Sequence, residues 1–168
     1  QDENGEDQYV WQTSWGISTR SIGGLIVGHG DDNGLIVPPK LAPIQVVIVP
    51  VDTSKELVEY CREVSELLKA SGLKVKFDDR DDERFGFKLN KWEVKGVPVA
   101  LKIGKSEMET REITAKRRDS GEEIKFGIAD APFKSSELLE TIQSDLLAKS
   151  TKIKEESTRD ASSYDEFK

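Results

Sequence analysis

The chain has few of the residue types that build reactive or metal-binding centres: its 168 residues include one Cys, one His and one Met. A single cysteine, Cys61, excludes an internal disulfide, and one His with one Cys gives too few soft ligands for a protein zinc site. No apolar run approaches the ~18 residues that a membrane span needs. The composition therefore predicts one soluble domain in the reducing cytoplasm, with neither a metal site nor a membrane partner.

Charge of one sign prevails, because 32 acidic residues face 25 basic ones and the net charge is -7. This balance argues against general nucleic-acid affinity, and we expect no DNA partner. The distribution is uneven, since residues 74–125 contain 14 basic and 12 acidic side chains. A selective contact with a few phosphates therefore stays open.

The two ends differ from the middle of the chain. The N-terminus is acidic, does not begin with Met and has no apolar h-region, so it resembles neither a secretory signal nor a natural start. We interpret it as a cut inside a longer polypeptide. A proline-rich connector, Pro38–Pro43, predicts a boundary between residues 1–37 and a domain over 38–150, and the polar residues 151–168 are assigned no structure.

Apolar periodicity predicts an α/β fold. Ile44–Val51 is typical of a strand buried on both faces, and a Thr53/Glu56 capping box predicts a helix start directly after it. This helix ends at Gly72, and a strand follows over Val75–Phe77, which together make a parallel βα unit. Apolar residues recur at helical spacing within it: Leu57, Cys61, Val64 and Leu68.

The remaining elements follow from the same patterns. We predict a short helix over 87–94, a strand over 97–103 and a hairpin of strands 111–117 and 122–128. A closing helix over 136–149 has one apolar face, formed by Leu138, Leu139, Ile142 and Leu146. Ahead of the connector, residues 9–15 are β-prone and residues 19–27 favour a short helix.

Three features invite a chemical interpretation, and in each the structural alternative is favoured. His29 has no Ser or Cys nucleophile of credible geometry, which favours an exposed turn histidine over a catalytic base. The acidic run 78–83 lacks the glycine and terminal glutamate of a calcium loop, which favours a solvated charged loop. Cys61 lies on the apolar helix stripe, which favours core packing over a reactive thiol.

Several compound motifs occur in one order along the chain: Trp11–Arg20, His29–Pro43, Asp78–Arg80, Gly86–Lys88, Trp92–Val99 and Arg117–Glu122. Together they closely resemble prolyl-tRNA synthetases of the archaeal and eukaryotic-like type, over nearly the whole chain. The resemblance implies that residues 1–37 are the end of a class II catalytic domain with its motif 3. It also implies an anticodon-binding domain over 38–150 and a linker over 151–168 towards a C-terminal domain.

The resemblance implies a five-stranded mixed sheet flanked by helices, preceded by the catalytic remnant. The parent enzyme is expected to be a homodimeric proline–tRNA ligase that uses ATP and Mg²⁺ to join proline to tRNA(Pro). Class II motifs 1 and 2 lie upstream of Gln1 in the family, so this chain alone is expected to be inactive and to bind no cofactor. Residues 1–37 are expected to be poorly ordered or to pack on a symmetry-related copy of the chain. Anticodon recognition should survive.

The resemblance also assigns residue roles in the parent enzyme. Arg20 matches the residue whose guanidinium pairs with phosphate and stacks on adenine. Two further residues match positions near the nucleotide, Gln12 and Ser18, and three match the proline pocket, Ser14, Trp15 and Gly16. A packing role stays open for Trp11 and Trp15.

For the anticodon, Glu93 matches a residue of the family's Trp-Glu-x-x-Gly motif, in the region that reads the anticodon bases. A carboxylate can accept from a guanine amino edge, which suits the guanines of a proline anticodon. Ser106 and Glu107 stand where the family usually has a basic residue and Asp. Ala100 stands where the family usually has an arginine after its Gly-Val-Pro motif. Lys102 and Lys105 are therefore expected to supply charge from neighbouring positions. Stacking on bases or core packing stays open for Phe87 and Trp92. Five cations are expected to position phosphates or to be solvated: Arg80, Lys88, Lys95, Arg117 and Arg118.

Two alternatives remain. A stand-alone tRNA-binding accessory module without ligase activity would have no reason to keep the Trp15–Arg20 motif. Another class II synthetase, for threonine, histidine or glycine, would share the domain, but the Pro38–Pro43 connector and the Trp-Glu-x-x-Gly block favour proline.

Overall fold

The computed structural model describes residues 1–167, and its centre is a five-stranded mixed sheet of order β2-β1-β3-β4-β5. β1 runs parallel to both β2 and β3, whereas β3, β4 and β5 are successively antiparallel. The predicted fold class, a mixed sheet flanked by helices, is confirmed. The strands are β1 (Val46–Pro50), β2 (Val75–Phe77), β3 (Val99–Ile103), β4 (Glu112–Arg117) and β5 (Glu123–Gly127).

Besides the strands, residues 1–167 form six α-helices and one 3₁₀ turn at Ile128–Asp130. None of these helices is both long and apolar enough to cross a membrane. The helices are α1 (Arg20–His29), α2 (Lys55–Ala70), α3 (Phe85–Val94), α4 (Lys105–Thr110), α5 (Ala131–Ser157) and α6 (Tyr164–Phe167).

The main core lies between one face of the sheet and helices α2 and α5. Strand residues such as Val46 and Ile48 point to this face and meet the two helical apolar stripes. All eight stripe positions predicted for these helices are buried. Cys61 is fully buried among them, and this burial raises the pKa of its thiol to about 12, so its predicted core role is confirmed.

The opposite face of the sheet is only partly covered. Alternate residues of β1, Val47 and Val49, pack there against Trp92 of α3, and Ala100 of β3 borders this second cluster. Cross-strand pairing places further side chains of β3, β4 and β5 on the same face, away from α2 and α5. We call this surface the open sheet face and define it by Ala100, Lys102, Thr114, Lys116, Glu123 and Lys125.

Two sequence predictions are wrong, one on the β-prone residues 9–15 and one on the start of α2. Residues 9–15 form no strand and are exposed, because within the described residues no other strand lies beside them to supply hydrogen bonds. The Thr53/Glu56 capping box does not form, since α2 begins at Lys55 with Ser54 at the N-cap. The amide of Ser54 instead donates to Asp52 Oδ1 at 2.8 Å, which turns the chain into the helix.

The end of the chain is more helical than predicted. α5 continues past the expected end at Lys149 to Ser157, and α6 lies within the segment to which no structure was assigned. An established helix adds residues at little cost, and a Lys152–Glu156 pair at i,i+4 spacing supports the extension. Lys168, the last residue of the predicted linker, lies outside the described residues.

Candidate nucleic-acid interface

A buried carboxylate organises the loop that precedes α3. Asp78 is only 2% exposed, and its Oδ2 accepts from the indole Nε1 of Trp92 at 2.6 Å. Arg80 donates to both carboxylate oxygens, at 2.7 and 2.6 Å. Burial alone would raise the pKa of Asp78, but the hydrogen bonds from Arg80 and Trp92 outweigh it and hold the pKa at about 2. The acidic run 78–83 is therefore anchored, and the prediction of a solvated loop is wrong for its first residue.

Arg80 and Lys88 belong to this framework. Arg80 also pairs with Glu83 at 2.8 Å. Lys88 is only 1% exposed, and its Nζ donates to the backbone carbonyl of Arg80. The phosphate contact predicted for Lys88 does not fit this placement, because its ammonium group is enclosed and already hydrogen-bonded. The same hydrogen bonds commit the guanidinium of Arg80 to the loop.

The adjacent arginines of the β4–β5 turn also point inwards. Arg117 is 7% exposed and donates to Asp119 at 2.7 Å and to Asp145 of α5 at 2.6 Å. Arg118 is 6% exposed and pairs with Asp31. A buried guanidinium must keep such partners, so neither arginine offers its charge to a phosphate. Their predicted role does not fit the structure.

Of the other predicted residues, Lys95 lies at the surface at the end of α3, and Glu93 meets the open sheet face. Lys95 is exposed, with its Nζ 4.4 Å from the centroid of the Trp92 ring, which orients the cation. Trp92 itself is buried in the core, whereas Phe87 is 59% exposed. Glu93 is half-buried, and its two carboxylate oxygens lie 3.3 and 3.1 Å from Lys116 Nζ.

α4 places a second carboxylate at the other end of this face. Glu107 Oε2 accepts from the amide of Gly104 at 3.1 Å and from Ser106 Oγ at 3.0 Å, which closes the first turn of α4. Burial raises the pKa of Glu107, but the hydrogen bonds from Ser106 and the backbone, together with the charge of Lys125, lower it overall. The carboxylate is thus ionised at neutral pH and faces a cleft of about 290 Å³.

Strand residues contribute cations to this face, of which the sequence analysis named Lys102 but overlooked Lys116 and Lys125. Lys102 lies 2.5 Å from Glu123, and Lys116 pairs with Glu93. Within residues 1–167, Lys125 makes no ion pair and is exposed. The missed signal was the two-residue period of the strands, which puts Lys116 and Lys125 on the face that carries Ala100 and Lys102.

The six residues assigned to the parent active site lie apart from this face. Each is exposed, on the extended segment before α1 or at its first residue, and none has a side-chain partner elsewhere in the described chain. The residues are Gln12, Ser14, Trp15, Gly16, Ser18 and Arg20. Because they enclose no cavity here, they do not fit ATP or Mg²⁺ in this structure. Within residues 1–167, no cluster of three or more His, Cys, Asp or Glu is placed to hold a metal ion.

The chain is similar to several curated proteins named proline–tRNA ligase. It is 45% identical over 177 residues to the chloroplastic/mitochondrial one of Arabidopsis thaliana, covering 99% of this chain and 33% of that protein. It is 43% identical over 171 residues to that of Parabacteroides distasonis and 42% identical over 168 residues to that of Natranaerobius thermophilus, covering 99% of this chain and 35% of each. The chain therefore spans about a third of the length of these relatives.

The part of the chain that forms the sheet and most of its helices matches a family model. Residues 45–138, more than half of the chain, match a family model described as an anticodon binding domain. This range runs from the start of β1 into the first turns of α5 and includes Glu93 and Glu107, which lie at the two ends of the open sheet face. The chain therefore belongs to the anticodon binding domain family.

Proposed function

We propose that this chain is the anticodon-recognition part of a proline–tRNA ligase and that its open sheet face binds the anticodon of tRNA(Pro). The observation that carries the proposal is a partly open sheet surface with an oriented carboxylate at either end, Glu93 and Glu107, and three lysines between them. This surface lies within the part that matches the anticodon binding domain.

Base recognition rests on the two carboxylates. Proline codons begin with two cytosines, so the anticodon contains two guanines, whose Watson–Crick edges present N–H donors. An ionised carboxylate accepts from such an edge, and single-stranded loop bases are accessible to it. Glu93 can retain Lys116 while it accepts, because a carboxylate has about four acceptor sites.

Phosphate binding falls to the lysines that the fold leaves accessible. Lys125 is exposed, and Lys95 projects at the edge of α3. Lys102 stands on the same face as Ala100, one alternation along β3, where it supplies the charge that Ala100 lacks. Part of the positive charge of residues 74–125 is thus available to RNA, whereas Arg80, Arg117 and Arg118 are committed to partners within the fold.

The wider functions belong to the whole protein. Ligation of proline to tRNA remains part of the proposal and is supported by the names of the relatives. The use of ATP and Mg²⁺ and a homodimer remain part of it on the resemblance of the sequence motifs alone. A stand-alone accessory module is disfavoured because the similarity covers 99% of this chain, including residues ahead of the domain. A cytoplasmic location rests on cysteine usage alone, and the Arabidopsis relative is named chloroplastic/mitochondrial.

Fluorescence anisotropy with a labelled tRNA(Pro) anticodon stem-loop tests the proposal. Replacing either of the two anticodon guanines by adenine is expected to weaken binding by about 5- to 100-fold, the usual range for one mismatched base contact. Glu93→Gln should reduce this discrimination while leaving the salt dependence unchanged. An affinity that is indifferent to the anticodon would contradict the proposal.

A lysine variant separates phosphate contacts from base contacts. Lys125→Ala should weaken binding to all anticodon variants similarly and should lower the slope of log affinity against log salt by about one. Lys149→Ala is the matched control, since Lys149 is exposed on α5, which packs on the opposite face of the sheet. Equal effects of the two substitutions would mean that the RNA does not lie on the open sheet face.

A further inference from the structure

Arg118 joins three parts of the molecule through one guanidinium. Its Nη1 and Nη2 donate to the two carboxylate oxygens of Asp31, at 2.9 and 2.6 Å. Its Nε donates to the backbone carbonyl of Glu93 at 2.8 Å. The side chain is 4% exposed, so water does not compete for these donors.

The segment that carries Asp31 lies directly on the end of α3. The amide of Leu35 donates to the carbonyl of Val94 at 3.0 Å, and that of Val37 donates to the carbonyl of Gly96 at 3.1 Å. Gly34, at φ +125°, passes so close that an added Cβ would meet the backbone of Val94 at 2.6 Å. Residues 31–37 therefore dock onto α3 by backbone contacts, and α1 precedes them directly.

Glu93 is consequently held at both ends. Its carbonyl accepts from Arg118 Nε at 2.8 Å and from the amide of Gly96 at 2.9 Å, while its carboxylate meets Lys116 on the open sheet face. An Arg118 without Asp31 would keep a buried charge with one partner fewer and would have to shift towards another. Such a shift moves the carbonyl of Glu93, and with it the direction of the carboxylate.

We propose that Asp31 and Arg118 are positioning residues for RNA recognition, which set the carboxylate of Glu93 through its backbone carbonyl and link the segment after α1 to the anticodon surface. This inference rests on the proposed function, in which Glu93 accepts from an anticodon guanine. Arg118 thus acts without touching RNA. Through this link, RNA bound to the open sheet face also acts on the segment that follows α1.

The test is a double-mutant cycle in the full 168-residue chain, with the labelled tRNA(Pro) anticodon stem-loop and its guanine-to-adenine variants as probes. Asp31→Asn should reduce the discrimination between the two RNAs by about fivefold or more, as Glu93→Gln does. In the Glu93→Gln background, Asp31→Asn should have no further effect on discrimination. Asp32→Asn is the control, because this substitution removes the same charge. Asp32 is exposed and does not contact Arg118.

The outcomes separate the two proposals. If Glu93→Gln reduces discrimination and Asp31→Asn does not, the positioning role is overturned and the proposed function stands. If Glu93→Gln has no effect while Lys125→Ala still weakens binding, the role of Glu93 fails and the positioning role fails with it. Additive losses in the double variant would also overturn the link, because Asp31 would then act independently of Glu93.

A measurement on the unaltered chain guards against a variant that fails to fold. The Nε–H of Arg118 gives its own nitrogen–proton NMR signal because it is buried and hydrogen-bonded. The stem-loop with the proline anticodon should shift this signal, and the adenine variants should shift it less at equal saturation. A signal that stays in place throughout the titration would overturn the proposal.

Discussion

At the scale of residues, three buried cations tie the loops of the domain together through hydrogen bonds and ion pairs. These cations are Lys88, Arg117 and Arg118. Sequence predicts charge but not the direction of a side chain in a turn. Glu93 was assigned from the Trp-Glu-x-x-Gly motif, and Glu107 from a position where the family usually has Asp. The contact of both carboxylates with RNA stays a prediction.

Asp78 gives the first prediction at this scale. Its pKa is about 2 in the folded chain against an ordinary value of 3.8, so the ionised form is favoured by folding. This contribution, about 2 kcal/mol, is fully present above about pH 5 and is lost as the pH falls towards 2. Urea unfolding across this range should show the loss in the native chain, and Asp78→Asn should be less stable at pH 7 with a flatter pH dependence.

Asp79→Asn is the control for that experiment, because Asp79 is exposed and adjacent. Its curve should run with that of the native chain. Parallel curves for the native chain and Asp78→Asn would show that the hydrogen bonds from Arg80 and Trp92 do not stabilise the fold as described.

At the scale of elements, apolar periodicity located the long helices and the hairpin that pack on the sheet but missed the short helix α4. The stripes of α2 and α5 and the hairpin of β4 and β5 were located correctly because burial imposes the pattern. The β-prone run 9–15 and the end of α5 were not, because a strand needs a neighbour and a helix end needs none.

α5 offers a matched pair of substitutions. Leu146 is 5% exposed in the main core, whereas the next residue, Leu147, is 66% exposed. Leu146→Ala should therefore lower the free energy of unfolding by about 2–4 kcal/mol, through lost burial and a cavity, and Leu147→Ala by less than about 0.5 kcal/mol. Denaturant titration of both variants measures the difference. Similar losses would mean that α5 packs on the sheet by another face.

At the scale of the whole molecule, the mixed sheet divides the domain into two structural tasks. One face, covered by α2 and α5, holds the core, and the other is left partly open and carries the charged residues of the proposed RNA surface. The sequence pattern predicted the sheet and its helices but not which strand residues share a face with α3. That assignment depends on strand order and register, which no local pattern contains.

The strand order also predicts how the molecule folds. β3, β4 and β5 are neighbours both in the chain and in the sheet. β1, in contrast, is joined to β3 through a connection of about fifty residues that contains α2, β2 and α3. Ile113→Val in β4 should therefore slow refolding, and Ile48→Val in β1 should mainly accelerate unfolding. Both residues are fully buried, so the substitutions are matched, and stopped-flow kinetics in urea distinguish them. The reverse pattern would contradict this order of assembly.

The same order has a consequence during synthesis. A ribosome releases β1, whose five residues are all buried in the finished domain, well before β3 exists to receive it. The nascent chain must carry an apolar, β-branched segment without its partner for several seconds at ordinary elongation rates. Charged α2, which follows β1 immediately and already carries an apolar stripe, is the first element able to shield that segment from other nascent chains.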